Sequence, residues 1–411
     1  MKSPVNNITT WVTTLFKVWR REFRMVFTDV GVMLFFFFLT LMYPVIYTLI
    51  YNPETVRDIP VVIVDKSRTP SSRELARMVD ATDAIAVYDY APSLRDARTL
   101  HAEHKAFGIL EIPEDYDKKL GRGQQAVVTF YSDMGLLLRY RAFVGALTDV
   151  QLAVGSKIQQ AEINSIGLPA QSLSGTPVKS EAVMLGDPTQ GFASFIIPGI
   201  LVLILQQSLI LGVTMLAAGG SERRRRNGGI DPLAVNAGPA ATVIGKALCY
   251  LCIYLPVCIY VLHIVPVMFE LPHIGRLGDY LLFILPMLFA SAFLAITVSV
   301  FVTERESSML VVVFTSVVFL FLSGLTWPRY AMNGLWKLVG DFIPATWGVE
   351  GFIRMNSNGS LLSQESHPYM MLWVLAGVYF VTACLTTRYL YPSDRRMSYP
   401  RRAFATKATK A

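Results

Sequence analysis

Five long apolar stretches crowd the chain between Phe192 and Leu390, and a sixth stands near the N-terminus, separated from them by the charged, ordinary-looking segment 52–190. Runs of about 20 apolar residues match a hydrocarbon core roughly 30 Å thick at about 1.5 Å rise per residue. A bilayer accepts only backbone whose hydrogen bonds close internally, so helices are the expected form. Spans are expected near 31–51, 192–217, 242–268, 279–302, 308–326 and 370–391. Composition excludes a soluble chain. Hydrophobic residues make up 53% and charged residues 16%, with a mean hydropathy of +0.43, against about 25% charged in a soluble domain.

Six crossings put both termini on one side, and the Lys and Arg that short cytoplasmic loops retain say which. Lys2, Lys17, Arg20, Arg21 and Arg24 precede the first span, Arg223 to Arg226 follow the second, and Arg395, Arg396, Arg401, Arg402, Lys407 and Lys410 follow the sixth. The opposite connections hold only Arg276, and then Arg329, Lys337 and Arg354. Both termini are therefore expected in the cytoplasm of a multi-pass inner-membrane protein. The net charge of +7 reads as a topology signal, not a nucleic-acid footprint. The expected fold is an α-helical membrane protein with six transmembrane helices and an α/β extracytoplasmic domain inserted after the first. In order these are an amphipathic interfacial helix over 1–30, the first span over 31–51, the inserted domain with a long helix over 52–190, a five-helix membrane domain over 191–391, and a basic tail over 392–411.

In the N-terminal arm Trp11, Leu15, Trp19, Phe23 and Phe27 recur every four residues while the cations fall largely elsewhere, the pattern of a helix lying in a membrane interface. The first apolar stretch runs from Phe35–Phe38 into Tyr43–Pro44 without a small-residue cleavage pattern, and reads as an uncleaved anchor. Cys249, Cys252, Cys258 and Cys384 all fall inside expected spans. The Cys249–Cys252 pair lacks the setting of a zinc or thioredoxin motif and reads as helix packing.

The inserted segment alternates strand-like and helix-like runs. Ile59–Asp65, Ala84–Tyr88, Phe107–Pro113 and Ala126–Tyr131 read as strands. Ser71 and Glu74 offer a capping box for one helix, and Ser93 opens another. A long helix is expected from Met134 to Glu162, striped by Leu136, Tyr140, Phe143, Leu147, Val150, Val154 and Ile158, which pack either on the strands or on a second copy. A Gly/Pro/Ser-rich stretch from Ser165 to Gln190 then returns to the membrane. No catalytic constellation accompanies these elements. His101 and His104 sit three apart without a second ligand pair, and no metal or other cofactor is expected.

The span centres carry no Asp, Glu, Lys or Arg, which disfavours an ion-coupled carrier. The polar candidates for a transport path are Gln206, Gln207, Ser291, Thr297, Thr315 and Ser316, each of which can equally serve helix-to-helix hydrogen bonding. Gly238 to Ala247 is the nearest approach to a P-loop. It has the wrong glycine spacing, and Ala247 stands where magnesium needs a hydroxyl. A nucleotide would have to bind another subunit.

A basic arm, one span, an α/β insert and five further spans together resemble the ABC transporter type 2 export permeases of the subclass with a large external insert. Ile59–Asp65, Ser72–Arg77 and Ala106–Pro113 are similar to the opening of that insert, and Leu322–Pro328 with Met332 and Ile343–Thr346 to the family's loop before the last span. The resemblance implies a dimer of permease subunits, identical or paralogous, bound to a cytoplasmic ABC ATPase dimer, with drugs, lipids and other amphiphiles as cargo. A Gram-negative setting would add a periplasmic adaptor and an outer-membrane duct. ATPase coupling would fall to the N-terminal arm and to Glu222, Arg223, Arg224, Arg225 and Arg226, a run that departs from the usual mixed-charge pattern. Glu304, Arg305 and Glu306 form a second candidate contact. The aromatic, charge-poor segment with Trp327, Pro328, Pro344, Thr346 and Trp347 is expected to form short helices near the outer face, as an outer gate or as an interfacial anchor. The rival reading is a membrane-anchored sensor or assembly protein whose external domain binds a ligand without transport.

Overall fold

The structure, a computed structural model, describes residues 4–51, 55–132, 136–165, 191–228 and 231–390. The expected linker beyond Ser165, the basic tail 392–411 and the expected long-helix start at Met134 lie outside the described residues. The chain divides into two compact units, Met1–Asn52 with Met184–Ala411, and Pro53–Val183.

The first unit contains six helices long and apolar enough to cross a membrane: Val30–Tyr51, Phe192–Arg226, Pro239–Met268, Leu277–Ser299, Arg305–Leu322 and Ser366–Arg388. They are called spans one to six. Their order alternates, so spans one, three and five begin at one end of the bundle, where two, four and six finish. That end carries the N-terminal helix Pro4–Thr28 and is called the basic end. Span two lies deepest, with 78% of its apolar window buried against 17% for span five.

The N-terminal helix is amphipathic, as its periodicity suggests. Val18, Glu22, Met25 and Val26 are buried, and Val18 packs beside Gly245 at the start of span three. Phe16, Trp19, Phe23 and Phe27 stack successively at 5.6, 5.1 and 4.7 Å along a partly exposed stripe. Asp29 then caps the next helix through Val32 N–H at 3.3 Å.

Two departures from ideal helix matter for packing. Span one relaxes into a π-helical turn over Leu34–Leu39, and Phe36 of that turn is fully buried. Its ring sits edge-on to Tyr254, with centroids 5.2 Å apart, over the notch left by Gly212, where a Cβ would overlap it. Span three carries a second π-helical turn at Tyr260–Ile264. Between spans five and six the chain forms a short turn at Arg329–Ala331 and the helices Gly334–Asp341 and Pro344–Asn358. Pro344 takes the first helical position, where its missing N–H costs nothing. Gly359, at φ +68°, ends the last helix in the left-handed region.

The second unit is an α/β layer structure. Strands β1 (Ile59–Asp65), β2 (Ile85–Tyr90), β3 (Gly108–Ile112) and β4 (Thr129–Ser132) order as β2-β1-β3-β4, the first three parallel and β4 antiparallel to β3. Strand side chains alternate faces. Val61 and Ile63 join Leu75 and Val79 of helix Pro70–Asp80 with Phe143 and Val150 of helix Leu137–Ser165, while Val62 and Val64 join Ala97 of helix Leu94–Ala102. Both faces of the parallel part are thus covered. Phe143, Leu147, Val150 and Val154 of the long helix's stripe pack on the sheet, one of the two partners that the sequence left open, while Leu136 and Tyr140 are exposed. The capping box is shifted from the expected one: Thr69, not Ser71, is the N-cap, and Ser72 closes the reciprocal bond. Pro70 fixes the first helical position and moves the start two residues upstream, leaving Glu74 to pair with Lys157 at 2.7 Å.

Candidate functional site

At the basic end, charged residues distant in sequence converge. Arg305, in the first turn of span five, donates to both oxygens of Asp29, at 3.0 and 2.6 Å, and lies 3.7 Å from Glu222 of span two. Gly219 makes room, since a Cβ there would lie 2.9 Å from Arg305 Nη2. Arg225 reaches Glu304 at 3.2 Å, both exposed. The two charged segments singled out in the sequence therefore meet, and Glu306 is exposed beside them. The four arginines do not act alike. Arg223 and Arg224 turn inward to line a small cavity, whereas Arg225 and Arg226 are exposed.

Asp231, after span two, is 1% exposed and takes bonds from Arg21 at 3.0 Å and Arg223 at 3.2 Å. Burial alone would raise its carboxyl. The Arg223 hydrogen bond, the Leu233 N–H and the charges of Arg223 and Arg21 bring it below the usual carboxylate range. Glu22 of the N-terminal helix is wholly buried, accepting from Tyr250 Oη at 2.5 Å with Lys246 Nζ at 3.5 Å. Burial opposes its charge as well, yet the Lys246 and Arg21 cations and the Tyr250 hydroxyl hold it low. Lys246, the lysine of the failed P-loop, is thus a partner for a buried acid.

Along the bundle, spans one, two and five enclose a cavity of about 500 Å³. Phe35, Leu39, Tyr47, Leu203, Leu211 and Val312 give it apolar walls, while Thr40, Gln207, Ser208 and Ser316 bring hydroxyl and amide groups. The Gln207 amide is buried, and neither its Oε1 nor its Nε2 has a hydrogen-bond partner among the described residues. A buried unpaired amide costs about 1–3 kcal/mol. The volume and the apolar walls with few polar groups fall in the range of small-molecule sites, roughly 300–1,000 Å³.

Gln206, next in sequence, points the other way. Its Oε1 accepts from Ala345 N–H at 2.7 Å and from Ser291 Oγ at 3.3 Å, tying span two to span four and to the start of helix Pro344–Asn358. The candidate gate segment splits too. Thr346 and Trp347 are buried, while Trp327, Tyr330 and Trp336 are exposed. Trp347 Nε1 donates to the Asp341 carbonyl at 3.0 Å, and Arg329 stacks over its ring at 4.3 Å while bridging Asp341 and Glu350.

Of the remaining polar candidates, Thr297 pairs with Thr382 of span six at 3.0 Å, and Thr315 bonds back to the Val311 carbonyl at 2.8 Å. Only Gln207 and Ser316 of the six face the cavity. His101 bonds the Ala106 carbonyl at 2.9 Å, and His104 adopts φ +57° after the helix end. Sequence reasoning passed over Glu22, Asp29, Asp231, Arg329 and the pair His263 and His273. Asp29, a capping residue directly before an apolar run, carried a usable signal; the others are defined by partners too far along the chain to leave a local pattern.

The family model described as ABC-2 family transporter protein matches residues 30–385, most of the chain, including all of the second unit. No curated protein matches as a relative.

Proposed function

The chain belongs to the ABC-2 transporter family and is a permease subunit of an ABC transporter, and from that premise we propose that it exports an amphiphilic, drug- or lipid-like substrate using ATP hydrolysed on separate ATPase chains. The observation that carries this reading is the cavity between spans one, two and five, with Thr40, Gln207, Ser208 and Ser316 as the polar residues of a largely apolar wall. An amphiphile supplies what such a wall lacks, apolar surface for Leu203 and Val312 and a polar group for Gln207 and Ser316. The exposed face of span five, with Met309, Val313 and Phe314, suits closure of the cavity by a second permease copy or a paralogue.

In this account the basic end faces the cytoplasm with both termini, a reading that the distribution of Lys and Arg supports. The unit Pro53–Val183 is extracytoplasmic, where a periplasmic adaptor leading to an outer-membrane duct would meet it. The ATPases dock on the exposed pair Arg225 and Glu304, with Arg226 and Glu306 beside it. The Arg305–Asp29 fork carries their motion into the spans that line the cavity. Helix Pro344–Asn358, seated on Gln206 and held by Trp347 and Arg329, serves as the outer gate.

Affinity purification of the full-length tagged chain from its own membranes tests this reading. An ABC ATPase should accompany it in stoichiometric amount. A sensor, in contrast, would purify without an ATPase and show a ligand-dependent change confined to residues 53–183.

A further inference from the structure

We propose that the exposed face of helix Leu137–Ser165 binds the same helix of a second copy of this chain, antiparallel, across a two-fold axis at Gly145. The inference concerns the second unit alone and goes beyond export and ATPase docking.

Only one side of this helix is used within the chain. Phe143, Ala146 and Val150 lie in the core with the sheet. At about 3.6 residues per turn, Leu138, Arg141, Gly145, Thr148, Asp149 and Leu152 fall together on the opposite side. Leu138 is partly exposed and the other five are exposed, Leu152 at 67%. From Leu138 to Leu152 the stripe runs about 21 Å, at about 1.5 Å per residue. The solvent face of a surface helix is ordinarily charged and polar. Here exposed Leu137 and Val144 flank a stripe that itself ends in leucine at both ends.

Charge identifies the occupant. The charged residues between Leu137 and Ser156 are Arg139, Arg141 and Asp149. Arg139 stacks over the Phe107 ring at 3.8 Å. Arg141 and Asp149 are exposed and have no hydrogen-bond or ion-pair partner among the described residues. They stand about 12 Å apart along the helix, too far to pair with each other. Gly145 lies midway between them in sequence. A two-fold axis perpendicular to the helix at Gly145 therefore sets Arg141 of each copy against Asp149 of the other. The same operation sets Leu138 against Leu152. The face is thus complementary to itself in charge and in apolar contact, as an isologous interface must be. Parallel pairing in register would instead oppose arginine to arginine and aspartate to aspartate.

The crossing point fits this arrangement. A Cβ at Gly145 would meet nothing within 4 Å, so nothing inside the chain requires glycine at this poor helix-forming position. On the axis the missing side chain lets two helices approach toward the near end of the usual interaxial range of about 8–10 Å, which brings the flanking Arg141 and Asp149 within reach of their counterparts.

The test is oxidative cross-linking of the full-length chain in its own membranes, with the unaltered chain, whose four cysteines all lie in the first unit, as the baseline. Gly145→Cys should give a disulfide-linked dimer, because position 145 meets itself on the axis. Leu152→Cys alone should stay monomeric, since its two copies would lie about 21 Å apart, beyond the roughly 7 Å between Cα atoms that a disulfide can bridge. Leu138→Cys and Leu152→Cys in one chain should link. In the Gly145→Cys chain, Arg141→Glu should lose most of the linked dimer, and adding Asp149→Arg should restore it, a rescue that a misfolded unit would not give. Monomer alone from Gly145→Cys, equal linking at positions 145 and 152, or failure of the second charge reversal to restore the dimer would each overturn the proposal. None of these measurements reads transport or ATPase association, so their outcome is separate from that of the export reading.

Discussion

Arg305 grips Asp29 through two hydrogen bonds, at 3.0 and 2.6 Å, across 276 positions of sequence. The same carboxylate caps the helix that becomes span one, and the same guanidinium lies 3.7 Å from Glu222 at the end of span two. The three spans joined by this fork are the three that enclose the large cavity. A displacement applied at the basic end therefore reaches the cavity wall through a planar, two-point contact that resists rotation better than a point charge.

The fork should behave as a unit in a double-mutant cycle. Asp29→Asn and Arg305→Gln are each expected to lower the thermal midpoint, and the double variant should lose less than the sum, with a coupling of about 0.5–3 kcal/mol for groups in direct contact. Arg305→Lys, which keeps the charge and loses the paired geometry, should resemble Arg305→Gln in transport rather than the unaltered protein. Strict additivity would remove the fork from the account.

Gln206 seats helix Pro344–Asn358 on span two. Gln206→Leu leaves the buried Ala345 N–H without its acceptor, so a destabilisation of about 1–3 kcal/mol is expected, measured by denaturant or thermal unfolding in detergent. Gln207→Leu should leave stability unchanged or improved, because that amide has no partner to lose among the described residues, and should instead weaken substrate binding. Opposite assignments for these adjacent residues would mean that the path and the joint have been exchanged.

The Phe36–Gly212 notch predicts a size-specific defect. A methyl group at 212 would overlap a fully buried ring wedged against Tyr250 and Tyr254, so Gly212→Ala should cost about 1–3 kcal/mol as an overpacked core does. Phe36→Leu in the same chain should recover part of that loss. Absence of recovery would place the strain in the backbone instead.

A histidine pair supplies the pH prediction. His263 Nδ1 and His273 Nε2 are 2.7 Å apart, and His273 Nδ1 lies 2.7 Å from Asn356 Oδ1. Asn356 Oδ1 can only accept, so a neutral His273 carries its one proton on Nδ1, and its Nε2 accepts from His263 Nδ1–H. Burial first, and then the neighbouring His263, push His273 below its ordinary value of 6.5, although the Asn356 bond opposes this. With the folded value depressed, the unfolded chain binds more protons between the two values, so stability is complete above about 6.5 and falls as pH drops below it. The thermal midpoint should decline from pH 7.5 to 5.5 with a smaller slope in His273→Gln. An identical slope in both proteins would exclude this contribution.

The spans were legible because each is a long apolar run, and most starts and ends moved by only a few residues, although the helix of span two continues nine residues past 217 to Arg226. Span five ends at Leu322, ahead of Gly324 at φ +88°. Strand and helix order in the second unit was legible for the same reason, since Val61 to Val64 alternate between two buried faces. The capping box was misplaced by two residues because Thr69-Pro70 competes with Ser71, and proline decided it. The candidate site was readable as a set of residue types but not as a geometry. Arg223 to Arg226 look equivalent in sequence, yet helical rotation sends two inward and two outward. Gln206 and Gln207 likewise differ only in which way the helix turns them. Asp29 with Arg305, and Glu22 with Tyr250, depend on tertiary approach and left no local spacing to read.

The central claim is that this chain is the membrane half of an ATP-driven transporter and depends on another subunit for its energy. ATP hydrolysis by the chain purified alone in liposomes, compared with the chain reconstituted with the ATPase that copurifies with it, tests this most directly. The account predicts no hydrolysis alone, hydrolysis coupled to transport in the complex, and weakened ATPase association when Arg225 is changed to Glu in correctly inserted protein. Hydrolysis by the clean single-subunit preparation would contradict it.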